Sequence, residues 1–230
     1  TDGTVRCWGR NSYSQLGSNG PDSSTPVAVP GIGTAVAVSV GESHSCALLA
    51  DGSIRCWGYN YNGQLGSGTS SYVEAPVAVA GIATATAITS FASHSCARLA
   101  SGMVTCWGTG PSGQVGGGTS TQVATPVAVY GITNAIAVST SGGHACATLS
   151  DGTVRCWGSN GRGQLGNGTV SLGEELPVTV AGITSATAVS AAGSSTCALL
   201  TNGTARCWGD NDSWQLGDLS AWTPAPVVGL

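Results

Sequence analysis

The triplet Cys-Trp-Gly occurs five times, beginning at Cys7, Cys56, Cys106, Cys156 and Cys207, in steps of 49, 50, 50 and 51 residues. Other phrases follow it in fixed order: Gln-(Leu/Val)-Gly, Pro-Val, an alternating Ala/Val/Ile stretch such as TAVAVSV (34–40), and a Cys-Ala segment such as HSCALL (44–49). A unit of about 50 residues with four short β-like stretches has the size of a propeller blade, and so small a unit must bury its apolar face against its neighbours. Composition agrees. The chain has 36 Gly, one Phe and one Met, and only 8% charged residues. Such a chain fills no broad core with large side chains; it suits short, closely stacked strands joined by Gly-rich turns.

The cysteines can be placed from the turn chemistry. HSCALL and SIRCWG flank Ala50-Asp51-Gly52. A three-residue hairpin loop with Gly in the left-handed position is a favoured turn, and it fixes the register. Leu49 then faces Ser53, Leu48 faces Ile54, Ala47 faces Arg55, and Cys46 faces Cys56. The cysteines fall on a non-hydrogen-bonded pair, where Cα atoms lie about 4.5 Å apart, near the lower end of the disulfide range. Cys96 and Cys106, Cys146 and Cys156, and Cys197 and Cys207 share the same spacing. Four cross-strand disulfides are expected, which argues for an oxidising compartment.

Cys7 is left over. Its partner would lie ten residues earlier, before residue 1. Two strands precede the first Ala/Val stretch and four sets of four follow, so 18 strands are expected. We expect a single repeat domain over 1–230, with repeats near 1–33, 34–83, 84–133, 134–184 and 185–230. The expected explanation of Cys7 is that the chain is a fragment cut within a hairpin; the rival is a ring completed by a second chain.

The stretch DGSIRCWGYNYNGQLGSGT (51–69), with its PVAV and GESHSCALL companions, resembles the regulator of chromosome condensation repeat. The resemblance covers essentially the whole chain in five copies. It implies an all-β fold, a β-propeller of four-stranded blades, usually seven in the family, with about four and a half visible here. The cysteine pair in each copy departs from the general pattern and resembles secreted bacterial members. The basic arm and loop insertion of the eukaryotic nucleotide exchange factor have no counterpart, nor does the Trp/Arg cluster of the plant photoreceptor.

Several candidate chemistries can be weighed. Trp8, Trp57, Trp107, Trp157 and Trp208 recur at one position and read as packing between blades. Arg6, Arg55, Arg155 and Arg206, with Asp2, Asp51 and Asp151 nearby, read as local pairs or solvated rims. His44, His94 and His144 each stand two residues before a cysteine. A His-x-Cys…Cys set could supply three zinc ligands, but Ser195 replaces the fourth His and no fourth ligand recurs, so no metal is expected. Asp210, Asp212 and Asp218 lack the spacing of a calcium loop. Glu42, Glu74, Glu174 and Glu175 are scattered, and the three His share one column, so neither paired carboxylates nor a Ser/His/Asp set stands out. No catalysis and no cofactor are expected. Asn167, Asn202 and Asn211 open glycosylation sequons, which arise readily in Gly/Thr-rich loops.

What varies between copies is the loop after Cys-Trp-Gly. Arg10, Tyr13, Tyr59, Tyr61, Arg162 and Trp214 stand in its variable columns, with Trp214 where other copies have Gly63, Gly113 and Gly163. Tyr, Trp and Arg dominate binding hot spots. Neutral drift of solvent loops is the competing explanation. The net charge is −4, Lys is absent and no basic cluster exists, so neither nucleic acid nor membrane insertion is expected. The sequence points to a non-catalytic, extracellular or cell-surface scaffold that presents variable loops to a protein partner. The family includes a secreted inhibitor of β-lactamases that works this way. The alternatives are a guanine nucleotide exchange factor or chromatin-binding regulator of the same family, a cell-surface glycan hydrolase, and a structural module of a larger surface protein.

Overall fold

In the computed structural model the described residues are 2–216 and 222–227. They contain eighteen strands and no helix. A two-stranded sheet pairs β1 (Arg6–Gly9) with β2 (Ser23–Ala28), and four antiparallel four-stranded sheets follow. These are β3 (Ala35–Val40), β4 (His44–Leu49), β5 (Ile54–Tyr59) and β6 (Val73–Ala78); then β7 (Ala85–Phe91), β8 (His94–Leu99), β9 (Val104–Gly108) and β10 (Val123–Ala128). The third comprises β11 (Ala135–Thr140), β12 (His144–Leu149), β13 (Val154–Asn160) and β14 (Ser171–Thr179); the fourth comprises β15 (Ala186–Ala192), β16 (Ser195–Leu200), β17 (Ala205–Gly209) and β18 (Ala225–Pro226). This is the strand count that the repeat implies, because each copy supplies four short β-forming stretches in sequence and each strand pairs with its neighbour in the chain.

The chain divides into two compact units. The first holds the described residues up to Ala100 together with Thr105–Thr109 and Gln122–Val127. Its core packs Ile54, Leu65 and Val79 around Trp107, and Val5, Val29 and Ile32 around Trp57. The second holds Ser101–Val104, Gly110–Thr121 and the described residues from Ala128. Its core packs Val154, Leu165 and Val180 around Trp208.

The hairpin between β4 and β5 adopts the register read from the turn. Leu48 pairs with Ile54, Ala47 with Arg55 and Cys46 with Cys56. Gly52 has φ 81°, a conformation that glycine adopts without a Cβ penalty, and its N–H donates to the Leu49 carbonyl at 3.0 Å. All four cysteine pairs stand at disulfide distance, with Cα atoms 4.1 Å apart, slightly closer than the hairpin rule suggests.

The Asp column does not pair with arginine. Asp51 Oδ1 accepts hydrogen bonds from the Ser53 N–H (2.9 Å) and hydroxyl (2.6 Å), and Asp151 does the same with Thr153. These bonds, hydroxyl first, hold both carboxyls below the usual carboxylate range. An Asx turn at the hairpin tip satisfies the carboxylate locally, so a distant guanidinium adds little. Among the described residues an ion pair joins Arg162 to Asp212, at 2.8 Å.

Candidate functional site

The loop after each Cys-Trp-Gly is tied down by its own polar residues. Asn11, Asn60, Asn160 and Asn211 each accept, through Oδ1, the N–H of the Leu five residues on, at 3.0–3.1 Å. The Gln column works in the other direction. Gln15, Gln64, Gln114, Gln164 and Gln215 each accept, through Oε1, the N–H two residues before, at 2.8–3.0 Å. The main-chain carbonyl of the same Gln then receives the indole N–H of the next copy: Trp57 on Gln15, Trp107 on Gln64, Trp157 on Gln114 and Trp208 on Gln164, at 2.9–3.0 Å. Each such Trp is at most 1% exposed. A buried indole needs an acceptor, and here it fixes the base of a loop. Gly66, at φ 68°, lies where a Cβ would come within 2.8 Å of the Trp107 ring, so only glycine lets the ring seat.

Trp8 departs from the packing expected of its column. It is 63% exposed, whereas Trp57, Trp107, Trp157 and Trp208 are buried.

On this skeleton the outward side chains differ. In the first unit Tyr13, Tyr59 and Tyr61 come together. The Tyr13 and Tyr59 ring centroids are 4.8 Å apart, and Tyr59 and Tyr61 are 6.5 Å apart. Tyr72, which the sequence reading did not single out, completes the cluster at 5.6 Å from Tyr59 and 5.9 Å from Tyr13, edge to face. Loss of solvent, then the phenols of Tyr13 and Tyr59, pushes the Tyr72 hydroxyl above its ordinary pKa. Its sequence signal is a second variable column, four residues before each Pro-Val: Asp22, Tyr72, Gln122, Gly173 and Trp222. Tyr13 and Tyr59 are half-buried, whereas Tyr61 and Tyr72 are exposed. Arg10 turns back on its own loop, its Nε donating to Ser12 Oγ at 3.0 Å.

In the second unit Arg162 pairs with Asp212, both side chains well exposed. Trp214 is 69% exposed and has φ 61°. Gly63, Gly113 and Gly163 take φ of 69°, 83° and 72° in that column and Ser14 takes 56°, so Trp214 occupies a left-handed position that glycine fills in three copies and a small serine in one.

The histidines are buried behind the loops. Nε2 of His44 meets Ser95 Oγ at 2.9 Å, and Nε2 of His144 meets Thr196 Oγ1 at 2.7 Å. Neither ring nitrogen of His94 has a hydrogen-bond partner. Burial pulls His94 down to about 4 and His44 to about 3, the latter helped by the neighbouring His94. Among the described residues no three His, Cys, Asp or Glu side chains gather as metal ligands would. Asp210 accepts the Asp212 N–H at 3.1 Å, and Asp218 lies outside the described residues. Glu174 takes the Ser171 hydroxyl at 2.9 Å. The sequon asparagines Asn167 and Asn202 accept the hydroxyls of Thr169 and Thr204, as turn residues do.

The model of the regulator of chromosome condensation (RCC1) repeat matches residues 2–48, 51–98 and 151–199, and a second model of that repeat matches 35–64, 135–164 and 186–215. The chain belongs to this family. Among solved structures it is similar to yeast RCC1 (Prp20) bound to Kap60, with a TM-score of 0.84 at 19% identity over 98% of this chain and 57% of that one. Human WBSCR16 matches with a TM-score of 0.85 at 24% identity, over 99% and 63%. Prp20p of Saccharomyces cerevisiae, described with its binding to Gsp1p and histones, matches at 0.82 and 20%, over 98% and 59%. The shared fold is the RCC1 β-propeller, and the chain spans about three fifths of the length of these structures. No curated protein sequence matches the chain.

Proposed function

We propose that this protein is a non-catalytic scaffold, exported from the cell, whose loops after Cys-Trp-Gly bind a protein partner. The observation that carries this reading is the separation of roles within each loop. Asn and Gln side chains turn inward and hold the backbone, while the neighbouring side chains are left free to differ. A rigid display loses little entropy on binding, and aromatic side chains give large contact area with few rotatable bonds. The tyrosine cluster Tyr13, Tyr59, Tyr61 and Tyr72 is the strongest such surface. Trp214 adds to the case, because a bulky residue held at positive φ is a strained choice that function explains better than stability. The four cysteine pairs support bonded disulfides and an oxidising location.

The test compares the wild-type chain with Tyr59→Ser/Tyr61→Ser/Tyr72→Ser as bait against extracellular proteins. The expected result is a protein captured by wild type and lost with the variant, at unchanged melting temperature. Equal capture by both would overturn the assignment of the face. Acceleration of GDP release from a small GTPase would replace the scaffold with an exchange factor.

A further inference from the structure

The last strand of each sheet, β2, β6, β10, β14 and β18, stands at a sheet edge and carries the Pro of the Pro-Val phrase: Pro26, Pro76, Pro126, Pro177 and Pro226. Proline offers no N–H to an added strand, and short, proline-bearing edges resist unwanted pairing. In β2, β6 and β10 three strand residues precede the Pro, and in β18 one. β14 departs from this. Six residues, Ser171–Leu176, precede Pro177, and the ladder continues past the Gly158–Glu174 pair to Asn160 and Ser171. This extra length is the most exposed apolar part of the second unit. Leu172 is 96% exposed, Leu176 45%, and Val170, just before the strand, 47%. In the described residues of β2, β10 and β18 no large apolar side chain is exposed. An edge kept short elsewhere is here long, free of proline and apolar.

We propose that β14 takes up an extended, basic segment of a partner protein as an added strand along Ser171–Glu174, with an apolar residue of that segment on Leu172 and a cation opposite Glu174. In strand addition the main chain supplies affinity and alternate side chains supply specificity. Leu172 and Glu174 are two residues apart and so share one face of the strand. The other face is taken. A Cβ at Gly173 would strike the Ser112 carbonyl, so glycine lets the chain's own loop close there. The Glu175 carbonyl accepts the Gly118 N–H at 3.1 Å, which ends the open stretch at Glu174. Glu174 Oε1 accepts the Ser171 hydroxyl at 2.9 Å, and among the described residues neither Glu174 nor Glu175 makes an ion pair. The contact face of the occupant therefore reads apolar, then Arg or Lys two residues on.

Charge decides against a second copy of this chain. Two β14 edges laid together bring Glu174 and Glu175 of one copy near those of the other, and like charges across strands repel. A chain of net charge −4 with no Lys favours a basic partner instead. The site does not rest on the tyrosine cluster and would stand if that face proved idle.

The experiment titrates the full chain with the capped peptide Val-Thr-Arg-Thr-Val-Thr-Arg-Thr-Val, in which Val and Arg alternate on one face. Calorimetry reads affinity, and hydrogen exchange reads protection of residues 170–176. Saturable binding with slowed exchange in that segment is expected. Replacing both Arg by Glu in the peptide should weaken binding by about tenfold or more. Leu172→Thr should weaken it by about tenfold at unchanged melting temperature, because the side chain is exposed in the free protein. Two further peptides are N-methylated on one or the other set of alternate residues; strand addition requires that at least one of them lose binding. Tyr59→Ser/Tyr61→Ser/Tyr72→Ser should bind the peptide as wild type does, which keeps failure of this site distinct from failure of the tyrosine face. No binding at millimolar peptide, binding without protection of 170–176, equal binding of the acidic peptide, of both N-methylated peptides or by Leu172→Thr, loss with the tyrosine variant, or a Leu172-dependent dimer of the chain alone would each overturn the proposal.

Discussion

Trp208, in β17, and Trp214, in the loop that follows it, are six residues apart and have opposite fates. Trp208 is fully buried and donates its indole N–H to the Gln164 carbonyl at 2.9 Å. Trp214 is 69% exposed on a left-handed backbone. Local sequence does not decide between them; the repeat does. Trp208 stands in a column that holds Trp in every copy, because each copy must fill the same pocket in its neighbour. Trp214 stands in a left-handed column that otherwise holds only Gly63, Gly113, Gly163 and the small Ser14, so a ring there needs a reason other than the backbone. Within one copy the recurring residue reports on packing, and the singular one reports on use.

The largest test of this contrast is truncation of both rings. Trp208→Ala removes the centre of the second unit's core and leaves the Gln164 carbonyl without its indole donor, so it should cost about 3–5 kcal/mol. Trp214→Ala should change stability by about 0.5 kcal/mol or less, as exposed side chains do. Denaturant titrations of the two variants check this. Comparable losses would mean that the exposed ring is part of the fold and would remove its standing as a display residue.

The sequence showed more of the skeleton than of the surface. The Ala50-Asp51-Gly52 loop was enough to place Cys46 opposite Cys56, because hairpin register is a local matter. The Trp column was legible for the same reason that it is buried: it recurs. The partners were not legible. Nothing in Gln164 announces that its side chain folds its own loop while its carbonyl serves the next copy. Nothing beside His44 names Ser95, 51 residues away. The tyrosine cluster was half visible. Tyr13, Tyr59 and Tyr61 share one variable loop, but Tyr72 comes from a different column and joins them only when the loop closes. Trp8 shows the limit of column reasoning, since burial is set by what packs against a residue and not by its place in the repeat.

A smaller effect separates the buried histidines by pH. His44 and His94 have folded pKa values lowered to about 3 and about 4 by burial. The unfolded chain binds protons at these rings below about pH 6.5 and the native chain does not, so stability is fully present above that pH. It then falls as the pH drops, at up to about 1.4 kcal/mol per unit for each ring, until about pH 4 for His94 and about pH 3 for His44. The hydrogen-bonded Asp51 and Asp151 carboxyls are held below the usual carboxylate range, so they titrate beneath that window. His44→Gln/His94→Gln should flatten urea stability across that window. An unchanged slope would mean that the rings are not held neutral. His94, with neither nitrogen bonded, should bear replacement better than His44, which loses its bond to Ser95.

The smallest effect has the opposite sign. Trp214→Gly places at φ 61° the residue that Gly63, Gly113 and Gly163 already supply in that column. A non-glycine residue pays about 1–2 kcal/mol for the left-handed region, and glycine returns part of that as unfolded-state entropy. A gain of about 0.5–1 kcal/mol is expected. The displayed ring goes with it. If the variant is more stable and still holds the partner, Trp214 is a tolerated accident of drift. If it is more stable and binds less, the strain at this position is the cost of presenting the ring. A loss of stability would show that the ring packs in solution against something that its 69% exposure does not reveal.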